Sequence, residues 1–388
     1  MQHARSLLVA PLAIAALFAS LPASAVKVTD HLDLGGAVRA RVDSDPDRDI
    51  EKISLDTVML SAAYDSDTWT GAARYRWYGG SHPFQYTGFG GVQFPEYAWA
   101  GYRFDAERQV QVGLNKVPFG LQPNFVSAFY ESLGNVIGLE DISQVGAKYM
   151  QHSGAWDVQA GFYVKPAWQG RGTSNGDTYS IVVTPADGYV AGGSRNEERH
   201  AFAARVARSY EYSGWTGETG VSLYSSTLRN LDTREDGHRN AIALHAQGQH
   251  GPWGAKVQWA RQDMSPRNPQ DDHTVTFGGF DGTFNVASRG DLYTADLSYS
   301  FPTRGKRLDN FKPYVSYSLF DKSDSMWPNS ERVMVGTSFD LKPLWIAAEM
   351  QFGRNDPYIG GSSYTQSLAG GGIDHWKSQF YMNVGYYF

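Results

Sequence analysis

The sequence predicts an all-β fold, a sixteen-stranded antiparallel transmembrane β-barrel formed by residues 26–388. Three observations lead there. The chain ends HWKSQFYMNVGYYF, in which Trp376, Phe380, Met382, Val384, Tyr386 and Phe388 share one parity, with Ser378 the only break. Lys377, Gln379, Tyr381, Asn383, Gly385 and Tyr387 share the other. Strand side chains alternate faces with period two, so this segment has one apolar and one mostly polar face. An edge strand this apolar would template aggregation in water, whereas in a closed barrel it meets lipid on one side and water on the other. Segments of about ten residues, the length a tilted strand needs to cross hydrocarbon, recur along the chain. The connections between them alternate strictly between short and long, which is the topology of a barrel with turns at one end and loops at the other.

The N-terminus is read separately. Arg5, an apolar run over 7–21 and the small residues Ala23-Ser24-Ala25 form a secretory signal peptide, residues 1–25. No other stretch is apolar enough for a membrane-spanning helix. Mean hydropathy is -0.42, which does not exclude a barrel, because a barrel carries its membrane signal in alternation. Aromatic residues are 14% and glycine numbers 42, as suits strands, turns and interfacial rings. The chain has no cysteine, so stability must come from the backbone ladder. A net charge of -6 argues against nucleic acid as a partner.

The strands are expected at 34–42, 53–64, 68–78, 92–104, 109–115, 143–151, 154–165, 199–208, 215–226, 238–249, 253–262, 289–301, 311–320, 332–341, 344–352 and the terminal segment. The clearest is 154–165. Trp156, Val158, Ala160, Phe162 and Val164 face out, and Asp157, Gln159, Gly161, Tyr163 and Lys165 face in. The facing of 53–64 and 92–104 is ambiguous, and a bulge fits the former. Sixteen strands enclose an aqueous channel, where eight would be filled by side chains. The same parity turns Arg39, Arg41, Arg74, Arg76, Lys148, Lys165, Arg199, Arg205, Lys256, Arg332 and Lys377 inward, against Asp157, Glu218, Asp296, Asp340 and Glu349. Such a surplus raises the local anion concentration.

Segment 116–150, KVPFGLQPNFVSAFYESLGNVIGLEDISQVGAKYM, carries the functional expectations. Phe119, Leu121, Phe125, Val126, Phe129 and Leu133 are too apolar for a solvated loop and need a surface to bury against. A short helix fits 127–133. Glu131, Glu140 and Asp141 would then point to the lumen, beside Lys116. Arg39, Arg41, Arg74 and Arg76 would line the opposite wall, so that acids facing bases set a transverse field across the narrowest point.

The terminal strand, ending on Phe388, resembles the closing strand of Gram-negative outer-membrane porins. Gly113, Pro118, Phe119 and Gly120, followed by Phe129-Tyr130-Glu131-Ser132 and Gly138-Leu139-Glu140-Asp141, resemble the phosphate-selective porin family in detail over 113–150. That resemblance implies a third external loop folded into the barrel, a homotrimer, and a setting in outer-membrane lipid and lipopolysaccharide. The sequence departs from the family in offering only Lys116 from the loop, where the family presents several lysines. The expectation is therefore passive diffusion of small hydrophilic solutes with a mild anion preference. Uptake of a specific phosphate, sugar or organic acid, or a non-conducting structural barrel, stand as alternatives.

Other signals are weaker. Asp43, Asp45, Asp47 and Asp49 are spaced as oxygen ligands, but Arg48 and Ser54 stand where a calcium loop needs Gly and Glu, so a solvated acidic loop is the simpler reading. Phe84, Tyr86 and Phe89 suit loop packing or sugar stacking. The ten histidines are scattered without a nucleophile motif, which argues against an enzyme, and nothing calls for a cofactor.

Overall fold

The computed structural model describes residues 26–79, 88–302, 305, 307–359, 363–372 and 374–388. The expected signal peptide, Phe84 and Tyr86 lie outside them. The barrel strands are β1 Leu32–Asp45, β2 Ile50–Asp65, β3 Trp69–Tyr78, β4 Gln93–Arg103, β5 Arg108–Lys116, β6 Ser143–Ser153, β7 Trp156–Lys165 and β8 Asn196–Tyr212. They continue with β9 Trp215–Asn230, β10 Asp236–His250, β11 Trp253–Ser265, β12 Arg289–Tyr299, β13 Leu308–Lys322, β14 Ser330–Leu341, β15 Leu344–Arg354 and β16 Lys377–Tyr387. Each pairs antiparallel with its neighbour in sequence, and β16 pairs with β1 to close the ring. All sixteen predicted segments are present, and closure satisfies the backbone groups that an open sheet would leave unpaired.

The two faces divide as alternation demands. Val38, Leu60, Val112, Phe162, Leu223, Leu244, Val257 and Val335 are exposed on the outside. At the short-turn end the rings gather into a girdle, including Trp69 against Tyr102 at 5.1 Å and Trp253 against Tyr299 at 4.8 Å. Such rings sit at a membrane–water boundary. At the other end the strands run further than alternation alone suggested. Only 46–49 separate β1 from β2, because the ladder continues beyond the apolar band.

The long connections pack on one another. The connection 263–288, expected as a loop, contains a hairpin of Thr274–Gly279 and Gly282–Ala287, joined by Val182–Val183 into a three-stranded sheet. Val275 pairs with Val286 and Phe277 with Phe284, giving a cross-strand apolar ladder that is fully buried. Against it pack Val136, Ile137 and Leu139 from segment 117–142 and the inner strand residues Leu228, Met264 and Phe320. In segment 117–142 the helix is a single turn, α1 Leu133–Val136, rather than 127–133. Ser132 caps it, its hydroxyl accepting from the Gly134 amide at 2.9 Å, and a cap cannot lie mid-helix.

Candidate functional site

Two bulges shape the wall over β1 to β4. In β2, Arg39 pairs with Thr57 and Ala40 with Leu55, leaving Asp56 as the extra residue. In β4, Arg74 pairs with Tyr97 and Tyr75 with Pro95, leaving Glu96 as the extra residue. A bulge re-aims a side chain, and both of these aim a carboxylate at the arginines. Arg39 Nη2 lies 3.0 Å from Asp56 Oδ2. Arg76 Nε lies 2.6 Å from Glu96 Oε2, and Arg74 Nη1 3.4 Å from Glu96 Oε1. Arg41 pairs with Asp43 and stands 3.8 Å from Asp56. Each guanidinium also lies over a ring: Arg39 over Phe129, Arg41 over Tyr381, Arg74 over Tyr97 and Arg76 over Tyr179, at 4.5 to 5.4 Å. The four arginines are therefore fixed in place and partly neutralised.

The other half of the wall holds segment 117–142. Every strand from β8 to β15 supplies a side chain to its backbone. Arg205 Nε donates to the Gly120 carbonyl at 2.9 Å, and Arg239 Nη2 to Gly138 at 2.5 Å. Lys256 Nζ donates to Asn124 at 3.0 Å. Arg332 Nη1 reaches the carbonyls of Tyr130, Glu131 and Ser132 at 3.3 to 3.4 Å, while Asp356 holds its other nitrogens at 2.6 and 2.9 Å. In the opposite sense, segment amides donate to Ser222, Gln258, Asp296, Ser318 and Glu349. These tethers satisfy a backbone that has little secondary structure of its own. Gly120 lies at φ +64, where a side chain is strained, and a Cβ there would also stand 2.5 Å from Gln258 Oε1 and 2.7 Å from the Phe125 ring. The apolar side chains find the surface they need, Leu121, Phe125, Val126 and Leu133 all being buried.

Between the two halves lies a cavity of about 1270 Å³. It is lined by Arg39, Arg41, Arg74, Arg76, Lys116, Lys148, Glu131 and Asp141, with Tyr97, Phe129, Tyr179 and Tyr381. Eight of the ten predicted site residues thus meet at one place. Lys116 forms an ion pair with Asp141, whose other oxygen accepts from the Tyr179 hydroxyl. Glu131 is half-buried with φ 63, a left-handed conformation that the three carbonyl contacts of Arg332 hold. Burial and the neighbouring Glu140 push the Glu131 carboxyl up to about 8, against the pull of Lys116.

Two predicted residues are elsewhere. Glu140 is buried and accepts from the amides of Phe125 at 2.6 Å and Ser132 at 3.0 Å, so it ties the segment to itself instead of lining the cavity. Lys165 is exposed, because a bulge at Val164 breaks the alternation of β7. Arg199 is turned outward by a similar shift at His200, which brings Glu198 in to meet Arg239. The expected basic surplus shrinks accordingly: Arg205, Lys256 and Arg332 are engaged with segment 117–142, and Asp56, Glu96 and Glu198 were missed. Three of the four aspartates of 43–49 meet bases, Asp43 with Arg41, Asp45 with Arg48 and Asp47 with Lys377. No group of three His, Cys, Asp or Glu suited to a metal occurs among the described residues.

No protein-family model matches the chain, and no curated protein matches it in sequence. Solved structures do match in fold. The outer membrane channel DcaP of Acinetobacter baumannii aligns with a TM-score of 0.59 at 10% identity, over 94% of this chain and 99% of that one. The anion-selective porin from Comamonas acidovorans aligns at 0.55 and 13%, over 92% and 99%. OmpT of Vibrio cholerae aligns at 0.52 and 12%, over 94% and 100%. At these identities the likeness is one of architecture: the chain has the barrel fold of Gram-negative outer-membrane porins.

Proposed function

We propose that this chain is an outer-membrane porin, a passive diffusion channel for small hydrophilic solutes with a mild anion preference. The observation that carries the reading is the division of the barrel wall. Strands β8 to β15 tether segment 117–142, which acts as an in-folded third external loop, while the arginine row of β1 and β3 lines the space left open. Such a passage replaces the hydrocarbon barrier with a wet, charged constriction. Its lining cations exceed the carboxylates that neutralise them, with Lys148 adding another ammonium, and this supports the anion preference.

Export would use the signal peptide of residues 1–25, and the apolar outer face would sit in lipid with lipopolysaccharide around the external end. The homotrimer expected from the porin resemblance is supported by the existence of a trimer form of Vibrio cholerae OmpT. Phosphate specificity gains nothing from the site: Lys116, the lysine at the end of β5 where segment 117–142 begins, is paired with Asp141. One observation favours a second reading, a non-conducting barrel. The apolar packing of 117–142 against the inner hairpin fills much of the long-loop end.

Single-channel recording of refolded protein in a planar bilayer across a KCl gradient tests both. Stable steps with a reversal potential favouring chloride support the porin. Preference for potassium refutes the anion reading, and silence from folded, inserted protein selects the closed barrel.

A further inference from the structure

The inner hairpin turns through two residues, Phe280 and Asp281, between the paired Gly279 and Gly282. Both lie in the left-handed region, at φ 52 and 64. A two-residue turn of this kind requires positive φ at both centres and normally uses Asn-Gly or Asp-Gly. Here the glycines flank the strained positions and a phenylalanine occupies one of them. A bulky residue at positive φ persists only where its surroundings hold it. The surroundings are on the page. Asp281 is buried; its Oδ1 accepts from the amides of Thr173 at 2.5 Å and Ser174 at 2.8 Å, and its Oδ2 from the Thr173 hydroxyl at 2.8 Å. The adjoining stretch is bridged to the barrel wall through Arg171 and Gln93. The tip is therefore clamped to β4 through a second loop.

The clamp places the Phe280 ring edge-on to Tyr179 at 5.4 Å, Phe94 at 6.0 Å and Tyr78 at 6.1 Å. Those three rings are buried, but Phe280 is only half-buried and lines the cavity. It packs between two buried clusters, the one that holds Val275, Phe277, Phe284 and Val286 and the one that holds Tyr78, Phe94 and Tyr179, and still lines the cavity. Tyr78 ends β3 and Phe94 is the second residue of β4, so the ring stands at the long-connection end of the cavity. Tyr179, its neighbour, carries the Arg76 guanidinium 4.5 Å from its centroid.

We propose that Phe280 sets the narrowest aperture of the passage, a steric filter at the long-connection end of the arginine-lined constriction. This rests on the channel reading above. A strained apolar ring beside a polar passage admits solutes by size, while the arginines behind it sort them by charge.

The test uses full-length protein refolded into planar bilayers, with Phe280→Gly and Phe280→Cys. Glycine takes positive φ freely, so the turn survives and only the ring is lost. Phe280→Gly is expected to raise single-channel conductance about twofold and to admit larger polyethylene glycols, because conduction follows the narrowest radius. The chain has no cysteine, so Phe280→Cys carries one thiol; a charged thiol reagent is expected to cut its current and leave wild-type current unchanged. Wild-type conductance and solute cut-off in folded Phe280→Gly, with no reagent effect on Phe280→Cys, would overturn the proposal. If Phe280→Gly does not fold, the reagent effect alone decides. A silent wild type would refute the channel reading itself, and this proposal with it.

Discussion

The two bulge carboxylates offer the sharpest test of the electrostatic reading. Arg39, Arg41, Arg74 and Arg76 are opposed by Asp43, Asp56 and Glu96, a surplus of one cation. Asp56→Asn and Glu96→Gln each add one unit of positive charge while keeping a hydrogen-bond acceptor. A unit charge about 5 Å from a permeant ion in a water-filled passage contributes about 0.8 kcal/mol. Screening at 0.1 M salt, with a Debye length of about 10 Å, cuts this to about 0.5 kcal/mol. An anion gains that amount and a cation loses it, so each substitution should raise the chloride-to-potassium permeability ratio about fivefold. The assay is reversal potential in a bilayer, at low and high salt. At 1 M salt the Debye length is about 3 Å and the gain should shrink below about twofold. A ratio unchanged at 0.1 M, or lowered, would show that these arginines do not face the permeating ion.

Three further outcomes are expected. Glu131, pushed up to about 8, keeps its proton at neutral pH, where a carboxyl at the ordinary 4.5 has lost it. Across that window the folded form holds a proton that the unfolded form releases, so stability should fall as pH rises, and the charge that appears above about 8 should lower anion preference. Recording at pH 7 and pH 9 reads this, and Glu131→Gln should flatten the response. Arg332→Ala strips Asp356 of its partner and frees three carbonyls; breaking a buried pair costs roughly 3–5 kcal/mol. A lowered urea midpoint and noisier current should report it, with unchanged values counting against the tether. Ser132→Ala removes the cap of α1 and should cost about 1 kcal/mol in the same urea assay, and no loss would mean that the cap is dispensable.

The barrel was legible because its signal is repeated. Most of the sixteen segments state the same period, and the two whose facing is ambiguous, 53–64 and 92–104, are placed by the strict alternation of short and long connections. The site was legible only where alternation is unbroken, as for Arg39, Arg41, Arg74 and Arg76. A bulge inserts one residue and flips everything beyond it. That single event hid Asp56 and Glu96, and it sent Lys165 and Arg199 to the wrong face. Pro95 beside Glu96 was a signal available in the sequence, since proline within a strand marks a bulge or an edge. The inner hairpin also left a trace. Val275 and Phe277, then Phe284 and Val286, alternate with Thr276, Thr283 and Asn285, but the proline- and aspartate-rich residues before them drew the whole stretch into a loop. The tethers of 117–142 had no such trace, because a lumen arginine that binds a solute and one that binds a carbonyl read alike.

The placement of acids at bulges has its own physical logic. Regular alternation gives each strand one inward residue per level, and on β1 and β3 those positions are taken by arginines. Unpaired guanidiniums at neighbouring levels repel and would swing apart into the lumen. An extra residue in the adjacent strand supplies a carboxylate between levels without displacing a regular inward side chain, and Asp56 and Glu96 occupy such positions. Each arginine is then held by a carboxylate and a ring together, for Arg76 by Glu96 and Tyr179. A cation fixed from two sides keeps its distance from the path as solutes pass, so the surplus charge acts at a constant position. The cost is that the same carboxylates weaken the field they stabilise, which is why the anion preference proposed here is mild.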